Sequence, residues 1–216
     1  MARVLITSGP TRQYLDPVRY LSNASSGRMG AALASAALRR GHEVLIVSGP
    51  VPTQYPDGAT VIPVVSTSEM LAVSQQHFRD CDGAIGAAAP CDYMPRVVEV
   101  EKIAKTGGPL MLELVETPDV VATLGQMKRA HQWVVGFALE TQDRRFRATV
   151  KLEKKHCDMI VSNGPSAIDA LENEVELLDD QGRLVVRVAG SKQLVADTLL
   201  DRIDERLIRR SLEEPS

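Results

Sequence analysis

The sequence predicts an α/β fold: a Rossmann-like, doubly wound, mainly parallel sheet with a small β excursion. Two observations carry that prediction. Short runs rich in Val and Ile, at 4–7, 43–48, 61–65, 83–88, 133–139 and 158–162, alternate with longer amphipathic stretches, the mark of βαβ units. The runs are nearly continuous in apolarity, as strands covered on both faces are.

Each element follows from local chemistry. The first run leads into a long connection over 8–25, and a structureless loop of that length inside a domain marks function. Met29, Ala32, Leu33, Ala36 and Ala37 then fall on one helical stripe, with Gly30, Ala31 and Ala34 keeping the neighbouring surface thin. Gly41 ends that helix, after Arg39 and Arg40 in its last turn. The fourth run leads into a second irregular stretch over 89–117. Thr117-Pro118-Asp119-Val120 reads as N-cap, proline at the first helical position and an acid in the first turn. Lys151 and Lys155 share one helical face, with Lys154 adjacent. Residues 174–178 and 184–188 flank Asp179-Asp180-Gln181-Gly182 as a β-hairpin. Ala196, Leu199, Leu200, Ile203 and Leu207 make a final stripe. One domain over 1–210 with a flexible tail at 211–216 is expected.

Composition narrows the function. The 216 residues carry 25 basic and 28 acidic side chains, a net charge of −3, which argues against nucleic-acid binding by bulk electrostatics. Cys81, Cys91 and Cys157 neither make a disulfide framework nor show metal-site spacing. No apolar run reaches the ~20 residues of a membrane span, and the amino terminus lacks signal-peptide anatomy. A soluble, cytoplasmic protein is expected.

Two segments carry chemistry. Ser25-Ser26-Gly27-Arg28-Met29-Gly30 opens a helix, where amides, glycines and hydroxyls can seat a phosphate or carboxylate, with Arg12, Arg19 or Arg28 as counter-charge. Plain N-capping by Ser25 or Ser26 is the other reading. The segment is not G-x-G-x-x-G, and the second strand ends in Ile46, Val47 and Ser48 without an acid, so a dinucleotide pocket is disfavoured. Gly86-Ala87-Ala88-Ala89-Pro90-Cys91-Asp92-Tyr93 follows a strand at its carboxyl end, where open α/β sheets bind ligands. Small residues let a base or phosphate approach, and Asp92 can serve a cation or hydrogen-bond a ligand; tight packing with Asp92 in a turn is the alternative. Lys102 and Lys105 sit in a polar loop, as mobile charges for a phosphate or as a solvated surface. The four histidines are scattered, Cys91 reads as a space-filler, and neither a nucleophile elbow nor a Walker lysine is present. Phosphate seats and cations without a nucleophile suit catalysis by placement and charge.

Read together, these stretches resemble the phosphopantothenoylcysteine synthetase family of coenzyme A biosynthesis. Gly9-Pro10-Thr11-Arg12, Leu15-Asp16-Pro17-Val18-Arg19-Tyr20-Leu21-Ser22-Asn23 and Ser25 to Gly30 carry the likeness first. Ala88-Ala89-Pro90-Cys91-Asp92-Tyr93, Glu101-Lys102-Ile103-Ala104-Lys105, Pro118-Asp119, residues 136–141 and residues 151–163 follow in family order. The resemblance implies a ligase that activates 4′-phosphopantothenate with CTP or ATP and Mg2+, releases pyrophosphate, and passes the acyl group to cysteine. Asn23 matches the residue that holds the acyl-nucleotide, and Lys102 the lysine that helps form it. Gly86, Ala87, Ala88, Asp92, Lys102, Pro118, Asp119, Val120, Val121, Phe137, Lys151 and Lys155 match nucleotide positions. Asn23, Ser25, Ser26, Gly27 and Gly30 match the phosphopantothenate seat, and metal ligands are not assigned.

The resemblance also implies a homodimer through 100–115 and 174–188, no flavin, and a separate decarboxylase for the next step; the charge balance and the lack of a long apolar run speak against nucleic-acid and membrane partners. Pro90, Cys91, Ala104 and Thr117 depart from the family pattern. CTP is favoured over ATP by Pro118-Asp119 and the Lys151/Lys155 pair. Two other functions are carried: a non-catalytic relative acting as a regulatory binding subunit, motivated by the altered 90–104 stretch, and an NAD(P)-dependent oxidoreductase, motivated only by the βα alternation.

Overall fold

The computed structural model describes residues 1–139, 143–163 and 172–209. The tail expected over 211–216, and Glu140 and Thr141 of the 136–141 motif, lie outside the described residues. The strands are β1 (Arg3–Ser8), β2 (Arg12–Tyr14), β3 (Tyr20–Ser22), β4 (Glu43–Ser48), β5 (Thr60–Pro63), β6 (Gly83–Gly86), β7 (Tyr93–Pro95) and β8 (Leu114–Glu116), followed by β9 (Trp133–Leu139), β10 (Met159–Asn163), β11 (Glu172–Asp179) and β12 (Leu184–Ser191). The helices are α1 (Arg28–Arg39), α2 (Thr67–Phe78), α3 (Val120–Met127), α4 (Arg144–Lys154) and α5 (Lys192–Ile203). All six apolar runs thus contain strands, the third ending at Pro63 rather than at residue 65 and the fourth at Gly86 rather than at residue 88.

Among the described residues, eight strands form one sheet in the order β12-β11-β10-β9-β6-β1-β4-β5. The six from β10 to β5 run parallel, and β11 and β12 run antiparallel at one edge. The two-residue period of a strand sends neighbouring side chains to opposite faces. Val4 and Ile6 of β1 accordingly join a core with α1 and α5, while Leu5 joins a second with α2, α3 and α4. This is the doubly wound architecture, and it explains why the central runs read as apolar throughout. No helix among the described residues is long and apolar enough to cross a membrane.

Three details differ from the local reading. The long first connection is not structureless, because β2 and β3 pair antiparallel within it; Tyr14 meets Tyr20 edge-on at 5.5 Å and the Arg12 guanidinium lies 4.5 Å from the Tyr20 ring centre. The hairpin β11–β12 extends the main sheet, so the small β pairs outside that sheet are β2–β3 and, inside the second stretch expected to be irregular, β7–β8. Finally, α5 passes into a π turn at Asp204–Ile208. The wider turn adds a residue to the period, and Ile208 is buried where the stripe pointed to Leu207, which is half-buried.

The hairpin is tied to α4 by charge. Glu176 of β11 accepts from Arg145 Nε at 2.7 Å and Nη2 at 2.9 Å, and from Arg187 of β12. The Arg145 hydrogen bonds, aided by Arg187 and opposed by burial, pull the Glu176 carboxyl down to about 2 from an ordinary 4.5. A depressed carboxyl stabilises the fold fully above its unfolded value and loses that contribution as pH falls through the folded one. Thermal unfolding followed from pH 6 downward is therefore expected to show wild type converging on Glu176→Gln between roughly pH 4.5 and 2. Parallel curves across that window would refute this linkage.

Candidate functional site

Strands β1 and β6 are parallel neighbours, with Thr7 beside Gly86. The helix after β1 covers one face of the sheet and the helix after β6 covers the other. The connections therefore part at the carboxyl ends of these two strands, which is the switch point where open α/β sheets hold ligands. Both motif-bearing connections begin there. They are joined by a parallel bridge between Pro10 and Ala89, with the Ala89 N–H donating to Gly9 O at 2.9 Å. Gly49 makes this crossing possible: a Cβ at that position would lie 1.6 Å from Pro10 O.

Asn23 closes the crevice. Its exposed side chain donates from Nδ2 to Pro90 O at 2.9 Å and lies 3.3 Å from Ala89 O. That contact uses the amide donor and leaves the Oδ1 acceptor for another partner. Cys91, next along, is held by a ring of hydroxyls. Its N–H donates to Thr11 Oγ1 (2.9 Å), Thr11 and Thr67 hydroxyls meet at 2.8 Å, and Thr67 Oγ1 donates back to Cys91 O (3.3 Å). Gln13 Nε2 also donates to Thr67 Oγ1, at 2.8 Å. Assigning the Thr11 proton to Thr67 and the Thr67 proton to Cys91 O satisfies every member, so the loop is rigid where it meets the crevice. Burial, opposed by hydrogen bonding, pushes the Cys91 thiol above its ordinary value, and burial pushes those of Cys81 and Cys157 to about 11 and about 12. A high thiol pKa suits packing rather than nucleophilic attack, as the sequence reading held for Cys91.

The 117–121 segment docks on the same loop. Thr117 donates from Oγ1 to Cys91 O (2.6 Å) and from its N–H to Asp92 O (2.9 Å). Thr117 is therefore not the helix cap it was expected to be. Asp119 caps α3, accepting from the Ala122 N–H at 3.0 Å, and Pro118 precedes the cap. The other Asp119 oxygen pairs with Lys155 Nζ at 3.1 Å, which gives Lys155, the C-cap of α4, a partner in the site. Gly86 touches α3: a Cβ there would be 2.4 Å from Val121 Cγ2. Asp92 is exposed, Ala87, Ala88, Val121, Phe137 and Lys151 are half-buried, and Val120 is in the core.

At the start of α1 the serines do not cap. Gly27 is the N-cap, in the left-handed region at φ 75°, with no side-chain capping bond. Ser26 O instead accepts from Thr53 Oγ1 at 2.6 Å, and Ser8 Oγ donates to Gly27 O at 3.3 Å. Gly30 is needed for close packing, since its Cβ would fall 2.1 Å from Ser8 Oγ. Plain N-capping by Ser25 or Ser26 is thus overturned. Lys102 and Lys105 are exposed in the loop between β7 and β8. Thr67 went unnoticed in the sequence: it opens an ordinary helix, and no motif marks it.

The sequence profile of the DNA/pantothenate metabolism flavoprotein C-terminal domain matches residues 1–207. The coenzyme A biosynthesis bifunctional protein CoaBC of Haemophilus influenzae is 39% identical over 206 residues, which are 94% of this chain and 51% of that protein. CoaBC of Escherichia coli K12 is 38% identical over 213 residues, 94% of this chain and 52% of that protein. A protein named cysteine/cysteine sulfinic acid decarboxylase, from an unknown prokaryotic organism, is 48% identical over 207 residues, 93% of this chain and 57% of that protein. The chain spans about half the length of the curated relatives it matches. The crystal structure of the C-terminal domain of CoaBC superposes with a TM-score of 0.81 at 36% identity, covering 96% of each chain. Cab2 mutant H337A in complex with phosphopantothenate-cysteine shares the fold, with a TM-score of 0.77 at 16% identity over 97% of this chain and 88% of that one.

Proposed function

The chain belongs to the DNA/pantothenate metabolism flavoprotein C-terminal domain family, and on that premise we propose that it joins 4′-phosphopantothenate to cysteine through an acyl-nucleotide, with CTP as the activating nucleotide. The observation that carries this reading is the meeting of Asn23 with the Ala89–Pro90 backbone at the switch point. It puts the residue matched to the acyl-nucleotide beside the loop matched to the nucleotide.

In the first step a carboxylate oxygen of phosphopantothenate attacks the α-phosphorus, the bond to the β-phosphate oxygen breaks, and pyrophosphate leaves. In the second, the cysteine amine attacks the acyl carbon, the acyl–phosphate bond breaks, and CMP departs as the amine loses a proton. No protein nucleophile is required. Lys102 offsets charge gathering on the α-phosphate and pyrophosphate. The uncapped start of α1, with Ser25, Ser26, Gly27 and Gly30, seats the phosphopantothenate phosphate, because leading helix amides favour an anion. Asp119 and Val121, with Pro118, line the base, with Val120 anchoring the segment in the core, while Lys151 and Lys155 answer the nucleotide's charge. Among the described residues no group of three or more His, Cys, Asp or Glu is arranged to hold a metal. Mg2+ would therefore be held chiefly by triphosphate oxygens, with Asp92 as the carboxylate at hand, and would neutralise phosphate charge when bound.

The same reading places the protein in the cytoplasm as a homodimer. Val97, Val100, Met111 and Leu114 are exposed along 97–114, with Val100 and Met111 each 86% accessible, a patch of the kind that marks an interface. Met111→Asp is expected to shift the mass measured by light scattering from two chains toward one; a single chain in the unmodified protein would remove the dimer from the reading.

The assay is pyrophosphate release with Mg2+ and phosphopantothenate, with and without cysteine, comparing CTP with ATP. Cysteine-dependent turnover with CTP is expected. ATP preference would keep the ligase and correct the nucleotide. One observation favours a second reading, the decarboxylase name of the 48% identical relative; it predicts CO2 from cysteine sulfinic acid without nucleotide, and absence of pyrophosphate release.

A further inference from the structure

Asp16 lies in the turn between β2 and β3, far in sequence from Lys102, and its side chain is fully buried. One carboxylate oxygen accepts from the N–H groups of Val18 and Arg19, both at 2.8 Å. The other accepts from the Ile103 N–H at 3.2 Å and lies 3.5 Å from Arg19 Nε. Arg19 in turn donates from Nη2 to Ile103 O at 2.6 Å. Both backbone polar groups of Ile103 are thus gripped by one ion pair. A second tether, Glu99 N–H to Leu15 O at 2.9 Å, holds the same loop on the near side of Lys102. The residues around Lys102 are otherwise exposed and outside regular structure.

A loop of this kind is ordered only as far as its anchors order it. Burial raises the Asp16 carboxyl, but the three N–H donors and the Arg19 charge outweigh it and hold the group below its ordinary value. The anchor is therefore charged at neutral pH, and hydrogen bonds to a charged group are the stronger kind.

From this geometry we propose that Asp16 is a positioning residue for the activation step: by holding Ile103 it sets where Lys102 presents its ammonium. The proposal rests on the role given to Lys102 above. Positioning of a charge shows in the rate of the step that uses the charge, not in ground-state binding.

Asp16→Asn removes the Ile103 N–H contact together with the Arg19 ion pair and keeps the contacts within the turn. An asparagine oxygen can still accept from Val18 and Arg19, but its amide nitrogen cannot accept from Ile103. The expected result with CTP and phosphopantothenate in single turnover is pyrophosphate release slowed by about 10-fold or more, with CTP affinity in the absence of phosphopantothenate unchanged. Amide hydrogen exchange at Ile103 should quicken about 10-fold as well, and trypsin should cut sooner after Lys102. Unchanged exchange and unchanged activation in folded Asp16→Asn would overturn the proposal. Should that variant not fold, exchange in the unmodified protein decides: an Ile103 amide as unprotected as a free loop overturns it, and a protected one supports it. Faster exchange in Asp16→Asn with a fully active Lys102→Gln would overturn it through the Lys102 role, an outcome distinct from failure of the anchor itself.

Discussion

Lys102→Gln is expected to abolish activation: with saturating CTP and phosphopantothenate, pyrophosphate release should fall by roughly 100-fold or more while the melting temperature stays put. The first half follows from charge. Attack at the α-phosphorus gathers negative charge on the transferring group and on departing pyrophosphate, and a cation placed there contributes a few kcal/mol that a neutral amide of similar length does not. The second half follows from exposure. Lys102 is exposed in the β7–β8 loop, and surface substitutions away from caps and cores lie within about 0.5 kcal/mol. Stopped-flow detection of pyrophosphate with a parallel calorimetric scan checks both. A variant that keeps its rate removes the lysine from the mechanism, and one that melts early makes the residue structural.

Asn23→Asp should fail later in the cycle. The Asn23 amide donates to Pro90 O and faces Ala89 O, so a carboxylate in its place sets an acceptor-only anion against two carbonyl oxygens. It also loses the donor and repels the phosphate of an acyl-nucleotide. Activation, if Lys102 serves it as proposed, should still proceed once per site, giving a burst of pyrophosphate. Steady turnover with cysteine should drop about 100-fold, and acyl-CMP should be recoverable from the quenched enzyme by mass spectrometry. Absence of a burst would move Asn23 into the activation step, and normal turnover would take it out of the site. Lys102→Gln and Asn23→Asp bracket the intermediate, so the pair is more informative than either alone.

How much of this was legible beforehand depends on whether the signal is local. The apolar runs became strands because burial on two faces leaves its mark in consecutive residues. Asn23, Gly86 and Asp92 could be singled out because they sit in long stretches of specific sequence, although their roles come from resemblance rather than from spacing. Caps were read less well: Thr117 is a good cap former, but Cys91 O and Asp92 O engage its hydroxyl and N–H across the fold, and the serines before Gly27 do not cap because Gly27 itself takes the N-cap position in the left-handed region. The final helical stripe slipped by a residue because a π turn changes the period without changing composition. Thr67 was invisible because its role depends on Thr11, Gln13 and Cys91, which reach it only across the fold.

By itself, then, the sequence determined the alternation of buried strands and amphipathic helices, the net charge that argues against nucleic-acid binding by bulk electrostatics, the lack of an evident nucleophile, and the family. These are properties of residue type and short-range order. Only the tertiary structure decided that the two long connections meet at the β1–β6 switch point, that Asn23 rests on the Ala89–Pro90 backbone, and that a buried carboxylate at residue 16 grips the loop carrying Lys102. Such contacts join positions some 66 to 87 residues apart. They arise from the order in which parallel strands lie in the sheet, and no window along the chain contains that order.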